Sequence, residues 1–223
     1  MKLTDLKLSD FKLAAFDMDS TLINIECIDE VADAAGKKLE VAAITEAAMR
    51  GEITDFKDSL RRRLALLSGV PESALEEVYA KRLQINPGVE KTAAAFKAAG
   101  IKLLLVSGGF TFFSDRVAKR LGFDFARANV LEIENGLLTG RVVTQAWGDI
   151  VDGQEKKKML LQTAAQLGLQ PNQTIAVGDG ANDLPMMSVA GLSVAYYAKP
   201  KVREQAMIAI VEGGMDELLG HFN

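Results

Sequence analysis

The sequence reads as an α/β protein: a doubly wound parallel sheet carrying a small inserted helical cap domain. Three observations lead there. Short, almost wholly apolar runs recur along the chain, as strands covered on both faces require. Helical stretches closed by glycine lie between them. The three strongest runs each end in a polar cluster, and in such sheets ligands bind beyond the carboxyl ends of the strands.

The elements follow in order. Residues 12–16 (KLAAF) run into Asp17-Met18-Asp19, residues 101–106 (IKLLLV) into Ser107-Gly108-Gly109, and residues 174–177 (TIAV) into Gly178-Asp179-Gly180. A weaker strand is expected at 192–196. Helices are expected at 87–100, opened by Pro87-Gly88, at 110–121 before Gly122, at 154–167 before Gly168, and over 183–189. Asn135-Gly136 between 130–133 and 137–143 predicts a hairpin. The stretch 26–83 offers no strand candidate and reads as four helices, 28–35, 39–49, 56–67 and 71–83, with Pro71 in a first turn. Inserted straight after the first strand, it is too long for a crossover. The expected division is a core of 1–25 and 85–223 and a helical cap of 26–84.

Composition narrows the chemistry. With 26 basic and 30 acidic residues in 223, the net charge of −4 gives no general field for nucleic acid or an anionic membrane. Residues 1–10 alternate charged and apolar types and do not read as a signal peptide. No apolar run reaches the roughly 18 residues of a spanning helix, so a cytoplasmic protein is expected. The one histidine, His221, is expected on a frayed end, which disfavours a serine–histidine hydrolase. Cys27 is alone, so it makes neither an internal disulfide nor a cysteine zinc site. A cysteine phosphatase needs an arginine closing the loop after its thiolate, and Asp33 stands at that position. Cys27 reads as a small buried residue.

The polar clusters suggest phosphate chemistry. Asp17 and Asp19 share a face if the strand continues, and two carboxylates at one site can divide the work of nucleophile and acid. A lone Asp-x-Asp, however, is more often an acidic turn. Asp179 and Asp183 add two carboxylates, which would repel a dinucleotide pyrophosphate and, with Asp17, call for a cation. Oxygen-only ligands beside phosphate point to Mg²⁺. Ser107-Gly108-Gly109, read as leading into a helix, suits a phosphate cradle, although alone it is an ordinary turn. Lys156 to Lys158 oppose a helix dipole, a placement that one lysine directed at phosphate would justify.

Together these clusters resemble the haloacid dehalogenase superfamily of phosphotransferases over about residues 12 to 219, and in particular its phosphoserine-hydrolysing members. The motifs stand as Asp17-Met18-Asp19-Ser20-Thr21-Leu22, Val106-Ser107-Gly108-Gly109-Phe110, the lysine of Asp152-Gly153-Gln154-Glu155-Lys156, and Gly178-Asp179-Gly180-Ala181-Asn182-Asp183. The resemblance implies a Rossmann-like core, Asp17 as nucleophile forming an aspartyl phosphate, and Asp19 as acid and then base. It implies Mg²⁺ on the Asp17 carboxylate, the Asp19 main-chain carbonyl and Asp179, with Asp183 in support. Ser107, Gly108, Gly109 and Lys156 would hold the phosphoryl oxygens, with Asn182 near the substrate. Glu26 would meet a substrate ammonium and Arg63 its carboxylate, under Met49 and Phe56. The implied partner is a small molecule, phosphoserine. Phe56 and Arg63, seven apart, share a helical face, but from spacing alone Phe56 serves equally as bundle core and Arg63 as one of three solvated arginines. Residues 143–148 (VTQAWG) lengthen the hairpin beyond the usual pattern. Three alternatives stay open: transfer to another acceptor, hydrolysis of another small ester, or a non-catalytic binding protein on this fold.

Overall fold

Residues 13–16 form the middle strand of a seven-stranded sheet, β1 (Leu13–Phe16), and every one of its side chains is buried. The structure, a computed structural model, describes residues 6–50 and 52–223; the Met49 side chain lies outside the description. The other strands are β2 (Lys102–Phe110), β3 (Phe125–Glu134), β4 (Leu137–Val143), β5 (Thr174–Gly178), β6 (Leu192–Tyr196) and β7 (Ile208–Ile210). Their order is β4-β3-β2-β1-β5-β6-β7, parallel throughout except for the β3–β4 hairpin. From β1 the chain first builds outward through β2 and β3. It then crosses back to build β5, β6 and β7 on the other side, so the switch point lies at the end of β1.

Alternation along the strands makes two cores. Ala14 and Phe16 face one, with Phe96, Leu105 and Phe113; Leu13 and Ala15 face the other, with Leu104, Leu160 and Met186. Helices α5 (Val89–Ala98), α6 (Thr111–Leu121) and α7 (Gly153–Gln166) cover these faces, followed by α8 (Leu184–Met187) and α9 (Pro200–Arg203). Asn135 and Gly136, with φ of 51° and 75°, make the hairpin turn that matches strand twist.

Between β1 and α5 lie α1 (Cys27–Ala34), α2 (Lys38–Met49), α3 (Phe56–Leu66) and α4 (Ser73–Lys81). The two ends of this excursion are stitched together: Ile23 bridges Ile85, Asn24 N–H donates to Gln84 O at 3.1 Å and Asn86 N–H to Leu22 O at 2.9 Å. The α3–α4 turn is tied to the hairpin. Gly69 N–H donates to Leu138 O at 2.8 Å, Leu138 N–H to Val70 O at 2.8 Å and Glu72 N–H to Gly136 O at 2.9 Å.

Several expectations are corrected. Pro71 is not in a first turn; it bridges Leu137 and the helix begins at Ser73, because the preceding backbone is spent on the hairpin. The stretch 183–189 divides into a 3₁₀ turn (Ala181–Asp183) and α8. The three-residue β7 carried no sequence signal. His221 is exposed but not frayed: it ends a 3₁₀ segment (Met215–His221), after which Phe222 packs edge-on to Phe11 and Phe96 and Asn223 N–H donates to Leu6 O at 2.9 Å.

Candidate active site

Asp17 continues the ladder of β1, its N–H donating to Val177 O at 3.0 Å, and the chain then turns sharply. The N–H groups of Thr21, Leu22 and Ile23 all converge on Met18 O at 3.2, 2.8 and 3.1 Å, with Ser20 at φ 55°. That turn brings Asp19 back toward α1, where Cys27 N–H donates to its Oδ2 at 3.2 Å. Asp19 Oδ1 is buried with no partner. Burial, then repulsion from Glu26, pushes the Asp19 carboxyl up to about 7, against the hydrogen bonds from Cys27.

Asp179 and Asp183 arrive from the end of β5. Thr21 Oγ1 donates to Asp179 Oδ1 at 3.1 Å, and Gly180 N–H to Asp183 Oδ2 at 3.0 Å. A Cβ at Gly178 would come within 2.3 Å of Asp183 Cγ, so glycine is what lets this carboxylate fold under the strand end. Lys156, fully buried, reaches from the first turn of α7 to Asp17 Oδ1 at 2.8 Å and Asp183 Oδ1 at 2.7 Å. These ion pairs account for its placement against the helix dipole. Burial alone would lower the Lys156 pKa, but Asp17 and Asp183 hold it above the ordinary value. Lys157 and Lys158 have no such depth.

Carboxylate oxygens of Asp17, Asp179 and Asp183 lie within 4.8 Å of one another. Burial and the neighbouring Asp183 push Asp17 well above the usual carboxylate range despite Lys156. Asp179 is pushed up to about 7 by burial, Asp183 and Glu26. One lysine does not balance three carboxylates, and an all-oxygen donor set of this size fits a hard divalent cation. Asp183 already spends one oxygen on Lys156 and the other on Gly180, so it supports the cluster from behind.

Opposite this cluster, β2 does not stop at Val106 as the sequence suggested. It runs on as a bulged strand through Ser107, Gly108 and Gly109 and then leads straight into a helix, with Phe110 as the N-cap and α6 starting at Thr111. Gly109 N–H donates to Ser107 Oγ at 2.9 Å. A Cβ on Gly109 would sit 3.0 Å from Met18 Cε and 3.3 Å from Asp19 Oδ2, so the glycine keeps this wall close to the acidic turn.

A cavity of about 150 Å³ joins these parts. Asp17, Asp19 and Asp179 line it, with Ser107, Gly108, Gly109, Phe110 and Asn182. Its far wall comes from the inserted helices: Glu26 and Ile28 at α1, and Phe56, Leu60 and Arg63 on α3. Arg61 and Arg62 are exposed and paired with Asp149 and Asp58, whereas Arg63 is half-buried and its Nε has no partner. Burial lowers its pKa, and Asp29, Glu26 and Asp19 oppose that effect. Glu26 accepts from Ser20 Oγ at 2.6 Å and keeps an exposed side, yet desolvation raises its carboxyl.

Thus Asp17, Asp19, Glu26, Phe56, Arg63, Ser107, Gly108, Gly109, Asp179 and Asn182 meet at one cavity, while Lys156 and Asp183 stand behind it. Met49, also expected here, carries a side chain outside the description. Sequence reasoning missed Ile28, Leu60 and Thr21. Leu60 was within reach, lying between Phe56 and Arg63 at helical spacing.

A family model for haloacid dehalogenase-like hydrolases matches residues 11–191. The chain belongs to this family. Among curated members, the phosphoserine phosphatase of Polaromonas sp. strain JS666 is 70% identical over 96% of this chain and 91% of its own length. That of Albidiferax ferrireducens is 68% identical over 97% and 92%. A solved phosphoserine phosphatase, captured as a phospho-aspartyl intermediate analogue, superposes with a TM-score of 0.87 at 39% identity, covering 96% of this chain and 99% of that one. The family model spans β1 to β5 and the inserted helices alike.

Proposed function

We propose that this hydrolase cleaves O-phosphoserine to serine and inorganic phosphate, the closing reaction of serine biosynthesis, through phosphorylation of Asp17. The observation that carries the reading is the single cavity lined by two unlike sets of groups. Asp17, Ser107, Gly108 and Gly109 come from the strand ends of the sheet, and Glu26 and Arg63, suited to an ammonium and a carboxylate, come from the inserted helices. Relatives sharing 70% and 68% of their residues with this chain carry the same activity in their names.

Both close partners of Asp17, Lys156 and the Met18 N–H, fall on Oδ1, which leaves Oδ2 uncommitted for in-line attack on phosphorus. As the P–O bond to serine breaks, Asp19 delivers its proton to the leaving oxygen. A water then attacks the phospho-Asp17 phosphorus, gives its proton to Asp19 and frees phosphate. A carboxyl held at about 7 serves both directions near neutral pH. The Asp17 and Asp179 carboxylates and the Asp19 main-chain carbonyl would hold Mg²⁺, which would supply charge neutralisation at the phosphoryl oxygens. Lys156 orients Asp17 and favours its ionised form against the opposing effects of burial and Asp183. Phe56 and Leu60 exclude water, and Arg63 and Glu26 orient the amino acid, with Asn182 at the cavity edge. Residues 26–84 are read as a cap over a core of 1–25 and 85–223, which the stitched ends of the insertion support. Among the described residues no helix is long and apolar enough to cross a membrane; a metabolite substrate and the lone buried Cys27 accord with a cytoplasmic enzyme.

The test is phosphate release from phosphoserine beside phosphothreonine, phosphoethanolamine and an aryl phosphate, each with Mg²⁺ or with EDTA. Mg²⁺-dependent release favouring phosphoserine is expected. Preference for another ester would keep Asp17 and discard the reading of Glu26 and Arg63.

A further inference from the structure

The bulge in β2 leaves a polar backbone to be satisfied. Val106 faces Arg127 and Phe110 faces Asn129, so β2 takes four steps where β3 takes two. The residues between, Ser107 to Gly109, therefore lie off the regular ladder on the β3 side. A backbone carbonyl half-buried there, as at Gly108, takes its donor from elsewhere. Asn129, itself fully buried, provides it: Nδ2 donates to Gly108 O at 2.7 Å. The other end of the same amide accepts from Val151 N–H, also at 2.7 Å. Reversing the amide would set like against like at both contacts, so its orientation is fixed by its partners.

Val151 directly precedes Asp152, which caps α7 by accepting from Glu155 N–H at 2.8 Å. Lys156 follows on that first turn. We propose that Asn129 is a positioning residue for phosphate: one buried amide sets the Ser107–Gly109 wall and the Lys156 helix at a fixed distance from each other. It touches neither Asp17 nor the cavity. Few side chains could replace it. Aspartate lacks the donor, serine lacks the reach, and leucine leaves both backbone groups unpaired. Displacing a phosphate-holding group by about 1 Å is enough to lower turnover on the order of 100-fold.

The proposal deepens the phosphoserine reading and rests on it for substrate, but its test does not depend on turnover alone. In Asn129→Asp the Val151 contact survives and the Gly108 contact is lost; in Asn129→Ala both go. Both variants are expected to lower kcat for phosphoserine about 100-fold. Affinity for inorganic phosphate, measured by calorimetry, is expected to weaken about tenfold or more, with serine affinity held within about twofold. A merely structural role would instead reduce the folded fraction and leave both dissociation constants as they were. Folded variants that bind phosphate and turn over like the wild type overturn the proposal. If neither variant folds, the wild type decides. Inorganic phosphate should then slow Val151 amide exchange about tenfold, and no change at Val151 overturns the proposal equally. Wild-type protein that releases no phosphate from phosphoserine removes the functional reading, while the phosphate-binding comparison still judges Asn129.

Discussion

Replacing Lys156 with methionine removes a buried charge and changes little else. Methionine has nearly the same length, so the loss is electrostatic and not a cavity. Asp17 and Asp183, at 2.8 and 2.7 Å from the ammonium, would be left buried without their counter-charge. Removing one partner of a buried pair costs about 3–5 kcal/mol. At about 2–4 °C per kcal/mol for a chain of this length, Tm should fall by about 6–20 °C. The pH dependence has a definite sign. Asp17 already lies above its ordinary value through burial and Asp183, and Lys156 is the main influence lowering it. Without the lysine it moves further up, so the native state holds a proton that the unfolded chain releases. Such a state loses stability as pH rises. The gap between variant and wild type should therefore widen from acid toward mildly alkaline pH, below the range where the unfolded lysine loses its own proton and the wild type weakens as well. Thermal unfolding by circular dichroism across that range, in EDTA so that no cation substitutes for the lysine, gives the answer. A variant melting within about 2 °C of wild type at mildly alkaline pH would refute the view that Lys156 balances these carboxylates.

Other perturbations separate the remaining roles. Asp17→Asn should abolish phosphate release while circular dichroism stays native; retained turnover would remove Asp17 as nucleophile. Arg63→Ala should raise KM for phosphoserine roughly 10- to 100-fold, the worth of a charge-assisted pair, and barely affect phosphoethanolamine; equal effects on both esters would mean Arg63 does not read a carboxylate. Phe222→Ala, which removes the ring packed on Phe11 and Phe96, should cost about 1–3 kcal/mol in urea unfolding with kcat unchanged. Asp149→Ala breaks an exposed pair with Arg61 and should shift stability by less than about 1 kcal/mol.

Strands buried on both faces announce themselves, because each residue must be apolar whichever way it points. That is why β1, β5 and β6 stand where the apolar runs stand. The hairpin turn was equally plain, since Asn-Gly suits two successive left-handed residues. β7 was not legible: with Ala209 exposed between two buried isoleucines, its signal is three residues long. The extension of β2 through Ser107-Gly108-Gly109 was hidden because glycines read as a stop, whereas here they allow a bulge. In the site, the carboxylates were legible from their position at strand ends. Arg63 could not be told from Arg61 and Arg62 by composition; only the packing of α3 decides which of the three faces inward. Asn129 left no trace, since a side chain that acts on two backbone groups far apart in sequence has no local pattern.

The ties between the α3–α4 turn and β4 restrict how the cavity exchanges its contents. A swing of all four inserted helices as one body would tear the bonds of Gly69, Val70 and Glu72 to the hairpin, at about 1 kcal/mol each. Among the described residues no backbone hydrogen bond ties α2 to the sheet. On that side a wider cavity of about 610 Å³ runs from Thr45 and Ala48 to Asp152 and Gln154, and it shares Phe56, Arg63 and Asn182 with the inner one. Phe56 lines both cavities, so on the proposed reading the side chain that would shield the reacting phosphorus from water is also the one that an ester arriving from that side would have to push past.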